Sequence, residues 1–134
     1  MEMIEMFVPR GKDYILDYVS KHPEVECCGL QVGFNEFIIM QNAANEPGKY
    51  FSFHNCETLE AYLQFGPKII GIWHSHPTGR ETPSSTDLEF HVPGMNLIII
   101  ANGKIINHGI PTTGQDTADS IPEDSGAVGN PYTL

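Results

Sequence analysis

The sequence predicts an α/β domain in which a mixed β-sheet carries helices on both faces. Two observations lead there. Segments with helical period alternate with short apolar runs of strand length, and the last two runs close on an Asn-Gly turn as a hairpin. A chain of 134 residues bounds one domain with a modest core.

Taken in order, residues 13–21 place Ile15, Leu16 and Val19 among tyrosines, the pattern of a short amphipathic helix. Residues 29–34 and 36–41 read as two strands joined tightly at Asn35, and 42–48 as a turn-rich connection. A short strand follows over 50–54, in the alternation Tyr50, Phe51, Ser52, Phe53. Leu59, Tyr62 and Leu63 mark a helix over 57–65, stopped by Gly66 and Pro67. The apolar run 69–73 is a buried strand, 77–83 a loop, and 84–91 a helix. Runs 95–101 and 104–110 flank Asn102 and Gly103, the clearest hairpin signal in the chain.

Chemistry concentrates after the 69–73 strand. His74 and His76 lie one residue apart, and in an extended chain residues i and i+2 project to the same side. Their imidazoles therefore face one point just beyond the strand. Asp87, eleven residues after His76 across a Pro/Thr/Gly loop, can bring a carboxylate to that point. Two nitrogens and one oxygen make a three-ligand zinc site whose fourth tetrahedral position stays open to water. That is the arrangement of a catalytic zinc rather than a structural one. A water nucleophile also needs a proton acceptor and a group to stabilise the charge it creates. Glu24 and Glu26 are upstream acids within reach, and Ser84 offers a hydroxyl. The run Ser84, Ser85, Thr86, Asp87 also reads as a helix start with a hydroxyl cap and an acid in the first turn. The two roles of Ser84 are compatible.

Through Glu26, Cys28, Gly29, His74, His76, Pro77, Ser84 and Asp87, the chain resembles the JAMM (MPN-plus) metallopeptidases. The shared signature is Glu-x-Cys-Gly, then His-x-His-Pro, with Ser eight residues after the second His and Asp three later. The resemblance covers about residues 10–110. It implies a deaminase-like three-layer α/β sandwich and one Zn²⁺ per chain, held by His74, His76 and Asp87. It implies that Glu26, rather than the surface charge Glu24, is the general base. Glu26 would take a proton from a zinc-bound water attacking the carbonyl and pass it to the leaving amine. Ser84 would donate to the oxyanion. The implied reaction is hydrolysis of peptide or isopeptide bonds, on a peptide or a ubiquitin-like protein tail.

Within that family three versions compete. The turn at 42–47 before Tyr50–Phe53 resembles the JAMM domain of phage tail-assembly proteins, which usually carry a second, cysteine-peptidase domain. Stand-alone bacterial and archaeal members process ubiquitin-like sulfur carriers. The non-catalytic alternative is an MPN-type scaffold or tail-assembly protein acting through binding, and such scaffolds usually lack the ligands present here. A zinc deaminase would need His-x-Glu with Pro-Cys-x-x-Cys, and neither occurs.

The other histidines read as structural: His22 at a helix end, His54, His108, and His91, which shares a helix face with Asp87. Cys27, Cys28 and Cys56 form no Cys-x-x-Cys and suit a reducing compartment. The formal charge of −10, with seven scattered Lys and Arg, argues against nucleic acid as a partner. No signal peptide and no apolar run of membrane length are apparent, so the expectation is a soluble, cytoplasmic protein. Residues 1–110 form the expected metallopeptidase-like domain. Residues 111–134, with four acids and no base, form an expected disordered acidic tail. Oligomeric state is not legible.

Overall fold

A computed structural model describes residues 7–111 of the chain. Its elements are α1 (Lys12–Ser20), β1 (Cys28–Gly33), β2 (Glu36–Met40), α2 (Asn55–Phe65), a 3₁₀ turn (Gly66–Lys68), β3 (Gly71–Ser75), α3 (Ser85–Phe90), β4 (Asn96–Ala101) and β5 (Lys104–Asn107). The five strands form one sheet in the order β2-β1-β3-β4-β5. β3 and β4 are parallel, and the remaining neighbours are antiparallel. The sheet is therefore mixed, with β3 at its centre.

Side-chain alternation along the strands supplies both faces. On one, Cys28, Leu30, Ile38, Met40 and Ile72 pack with Phe7, Phe53 and Ala61, the last from α2. On the other, Phe37, Trp73, Ile98 and Ile100 pack with Ile15 of α1. Helices thus cover both faces of an α/β sandwich, because each strand residue in the centre needs an apolar partner above or below it. The α1 face allows one close approach. The Trp73 indole lies across β1 and donates from Nε1 to the Ile38 carbonyl at 3.0 Å. A Cβ at Gly29 would sit 1.9 Å from that carbonyl oxygen and 2.6 Å from Nε1. Only glycine fits between them.

Local signals explain the element ends. Gly66, at φ 49°, stops α2 in a conformation that other residues resist. Asn102 (φ 54°) and Gly103 (φ 74°) turn the β4–β5 hairpin with the two positive φ values that its twist demands.

Several boundaries differ from the sequence expectation. Residues 50–54 form no strand and do not join the sheet, and His54 instead precedes α2, which starts at Asn55. Their alternation reflects Phe53 turning inward to the α2-side core while its neighbours stay partly exposed. The central strand begins two residues later than the apolar run and continues through His74 and Ser75, because those residues pair with β4. α3 is shorter than residues 84–91, and β5 ends at Asn107. Pairing with β4 nevertheless continues, through His108 N–H to Leu97 C=O at 2.8 Å and Leu97 N–H to Gly109 C=O at 2.9 Å. Apart from Pro111, the expected acidic tail lies outside the described residues, as do residues 1–6. Among the described residues no helix is long and apolar enough to cross a membrane.

Candidate metal centre

The site grows from the end of β3. Ile72 points to the α2 face, so His74 does too, while Trp73 and Ser75 point the other way. In the antiparallel register with β1, Cys28 faces His74. Ser75 N–H donates to the Cys27 carbonyl and Cys27 N–H to Ser75 Oγ, both at 2.9 Å, which carries the pairing one step past the strand. Beyond that bridge Glu26 comes close enough to His76 for their charges to interact, and both side chains line one cleft.

The third side chain comes from α3. Ser84 caps this helix: its Oγ accepts the Asp87 N–H at 3.1 Å, and Asp87 Oδ2 accepts the Ser84 N–H at 2.9 Å. This reciprocal box points the Asp87 carboxylate back toward β3. His74 Nε2 lies 3.1 Å from Asp87 Oδ1, His76 Nε2 lies 3.0 Å from Asp87 Oδ2, and the two Nε2 atoms are 3.1 Å apart. An ion bound at zinc distances in tetrahedral geometry separates its donors by about 3.3 Å. The two imidazole nitrogens already lie within a few tenths of an ångström of that spacing, each against its own Asp87 oxygen, and one donor atom from each of the three side chains falls within 4.8 Å of the others.

The chemistry of the donors fits a cation. His76 Nδ1 donates to the Arg80 carbonyl at 2.8 Å, which leaves the Nε2 lone pair facing the cluster. His74 is fully buried, its ring stacked on Phe51 with centroids 4.5 Å apart, and its Nδ1 has no hydrogen-bond partner among the described residues. Two imidazole nitrogens and a carboxylate thus converge in a largely dry place. Burial lowers the His74 pKa, so this ring favours the neutral, ligating form. For His76, burial acts downward, but hydrogen bonds to Asp87 and the Arg80 carbonyl outweigh it and raise the pKa. Burial would raise Asp87, yet the hydrogen bonds from His74 and His76 hold it well below the usual carboxylate range. It is the fixed negative charge of the cluster.

Glu26 is different. Burial pushes its pKa up to about 8, His76 opposes the rise, and Asp87 adds to it. This buried carboxyl lines the same cleft, of about 630 Å³, as His76, Ser84 and Asp87. Glu24, the other upstream acid, is exposed. All five residues singled out from the sequence, Glu26, His74, His76, Ser84 and Asp87, thus meet in one region. The remaining histidines bond elsewhere, although His91 lies near enough to feel the charges of His74 and Asp87. His22 Nδ1 bonds the Tyr18 carbonyl, His108 Nε2 the Glu81 carbonyl, and His91 Nε2 the Met95 carbonyl at 2.7 Å, while His54 precedes α2. Burial raises the pKa of the Cys27 and Cys28 thiols, so neither is an activated nucleophile.

Two contributors escaped the sequence. Arg80 acts through its carbonyl, which has no side-chain signature. Asn42 bonds the Glu26 carbonyl, yet it lay in a segment read only as turn-rich. Its signal was available: Asn favours bonding the backbone two residues on, and its Oδ1 accepts the Ala44 N–H at 2.9 Å.

A mixed-sheet α/β sandwich with a His–His–Asp cluster at the end of its central strand, and a buried carboxyl across the cleft, defines the class. The chain belongs to the prokaryotic homologs of the JAB domain, a family that matches residues 11–110. It is 30% identical over 113 residues to a desampylase from Haloferax volcanii, an alignment covering 73% of this chain and 81% of that one. The solution structure of a protein from Desulfitobacterium hafniense shares the fold, with a TM-score of 0.56 at 22% identity, over 71% of this chain and 75% of that one.

Proposed function

We propose that the domain over 1–110 is a zinc-dependent hydrolase of peptide or isopeptide bonds. The observation that carries this reading is the convergence of His74, His76 and Asp87 within 3.0–3.1 Å of one another, with Glu26 buried on the same cleft. His74, His76 and Asp87 would hold the ion. Zinc supplies, when bound, a Lewis acid for the substrate carbonyl and a means of acidifying water at neutral pH.

The chain's own residues do the rest. Glu26 accepts a proton from the attacking water and returns it to the nitrogen of the departing amine. Its raised pKa suits both transfers near neutrality. Ser84 Oγ accepts the Asp87 N–H, which leaves its own O–H proton to donate to the oxyanion that develops on the carbonyl. His76, oriented by the Arg80 carbonyl, and Asp87, oriented by the helix cap, keep the cluster from rearranging between turnovers.

The desampylase relative favours conjugates of a ubiquitin-like protein as substrates, and so release of an isopeptide-linked tail. The test is mass-spectrometric cleavage profiling of a peptide pool by the zinc-loaded protein. The pool includes tails that end in Gly-Gly or continue past it, and Glu26→Gln is the control. Zinc-dependent cuts absent from the control are expected, and the residues before each cut identify the substrate class. Equal cutting by wild type and Glu26→Gln would remove Glu26 from the mechanism. No cutting of peptides or of a ubiquitin-like conjugate, with zinc bound, would leave the domain as a binding module.

A further inference from the structure

Between β2 and α2 the chain crosses residues 42–54 with almost no ladder of its own, yet this segment supplies one wall of the cleft. Tyr50 and Phe51 line that wall, and Phe51 stacks on the His74 ring. Its backbone holds itself through few bonds, chiefly Ala43 N–H to the Ser52 carbonyl at 2.8 Å and the Lys49 and Tyr50 N–H groups to the Glu46 carbonyl at 3.0 Å. Such a segment has little intrinsic rigidity.

One side chain ties it together. Asn42 Nδ2 donates to the Glu26 carbonyl at 2.8 Å and to the Tyr50 carbonyl at 2.9 Å, with the Pro47 carbonyl 3.3 Å away. Asn42 Oδ1 accepts from Ala44 N–H at 2.9 Å and Ser52 N–H at 3.3 Å. The Glu26 N–H in turn donates to the Pro47 carbonyl at 2.7 Å. Glu26 precedes β1, so no sheet ladder holds it. Both its backbone polar groups are held by this loop, one by the Asn42 carboxamide and one by Pro47.

We propose that Asn42 is the positioning residue of the site: its carboxamide fixes the 42–53 loop, and through it the Glu26 backbone and the Phe51 ring against His74. It lies outside the group of side chains that meet the ion or the substrate. The inference rests on the reading of Glu26 as the base. No other side chain can substitute. The role needs two donors and an acceptor on one short planar group. Aspartate would set a negative charge against the Glu26 and Tyr50 carbonyls, alanine offers nothing, and glutamine is one methylene too long for the same five partners. Catalytic groups must stay within roughly 0.5 Å of their productive geometry. A misplacement of about 1 Å costs on the order of 10²-fold in rate.

The experiment compares zinc-loaded wild type with Asn42→Ala and the near-isosteric Asn42→Asp in the full chain. It reads kcat and KM on a peptide that wild type cleaves, bound zinc, and amide hydrogen exchange by NMR. Both variants are expected to lose about a hundredfold in kcat, with KM and zinc content within about twofold of wild type. Exchange is expected to quicken at Glu26, Ala44 and Ser52 but not at Ile72 or Ile98 in the central strands. Unchanged kcat overturns the proposal. So does loss of protection in the loop and central strands together, because that is a general loss of stability. If zinc-loaded wild type cleaves nothing, the hydrolase reading fails by itself. The exchange arm still decides the role of Asn42: protection lost at Glu26 and in the loop but kept in the central strands supports it, and unchanged protection at Glu26 overturns it.

Discussion

Ser84 and Asp87 each hold the other's backbone: Ser84 Oγ accepts the Asp87 N–H at 3.1 Å, and Asp87 Oδ2 accepts the Ser84 N–H at 2.9 Å. The same Oδ2 lies 3.0 Å from His76 Nε2. One carboxylate therefore closes a helix cap and completes the histidine cluster. The start of a helix of only six residues becomes a fixed bracket for the site.

This double use makes the two roles of Asp87 separable. Asp87→Asn keeps an oxygen for the Ser84 N–H, and with it most of the cap, but removes the charge that balances a cation. Asp87→Ala removes both. Zinc affinity is expected to fall at least a hundredfold in either variant, by competition with a chromophoric chelator. In the metal-free state, Asp87→Ala is expected to lose about 1 kcal/mol more than Asp87→Asn in urea unfolding, the usual worth of such a cap. Retention of wild-type zinc affinity by Asp87→Asn would place the metal elsewhere.

The hydroxyl and the cap at Ser84 separate by a different substitution. Glycine caps helices nearly as well as serine, at a cost of a few tenths of a kcal/mol. Ser84→Gly is therefore expected to unfold almost as wild type does. If the hydroxyl stabilises the oxyanion, kcat on a cleaved peptide drops by about 10²–10³-fold with KM little changed. A wild-type kcat in this variant would leave Ser84 as a cap alone.

The hairpin at Asn102 and Gly103, the helix stop at Gly66 and the paired histidines were legible in the sequence because each is a local rule. A positive φ, a lost cap or an i,i+2 alternation needs no knowledge of the rest of the fold. Residues 50–54 are the complementary case. Alternation reports which side chains face inward, and an irregular segment packed beside a sheet can alternate like one inside it. Asn42 went unrecognised because its partners Glu26 and Tyr50 are sixteen residues before it and eight after it. Only the folded chain brings those carbonyls to one carboxamide.

Gly29 was legible as part of a motif, but its physical reason emerges from packing. A methyl group there meets the Ile38 carbonyl oxygen at 1.9 Å and the Trp73 indole at 2.6 Å, and neither can yield cheaply in the centre of a sheet. Gly29→Ala is expected to destabilise by about 3 kcal/mol, the upper end for overpacking, and to break the Trp73 Nε1 bond to Ile38. Trp73 fluorescence and urea unfolding report both effects. Wild-type stability with an unshifted emission spectrum would mean that the strands part there more easily than their register implies.

Glu26 also leaves a signature that needs no substrate. Its pKa in the folded protein is about 8 against an ordinary 4.5, because burial disfavours the carboxylate. Folding therefore favours the protonated acid. The contribution is fully present below about pH 4.5 and is lost as pH rises through about 8. Glutamine keeps the shape and never ionises. In protein stripped of metal, Glu26→Gln is expected to match wild type in Tm near pH 5. Its advantage grows to several degrees by pH 8.5. Asp87, shifted in the opposite direction, stays ionised across that window in both proteins and cancels from the comparison. Added zinc is expected to shrink the difference, since a cation beside Glu26 favours the carboxylate that burial opposes. A Tm difference that stays flat from pH 5 to 8.5 without metal would mean that the Glu26 side chain reaches water, and that the cleft does not hold the proton poised for transfer.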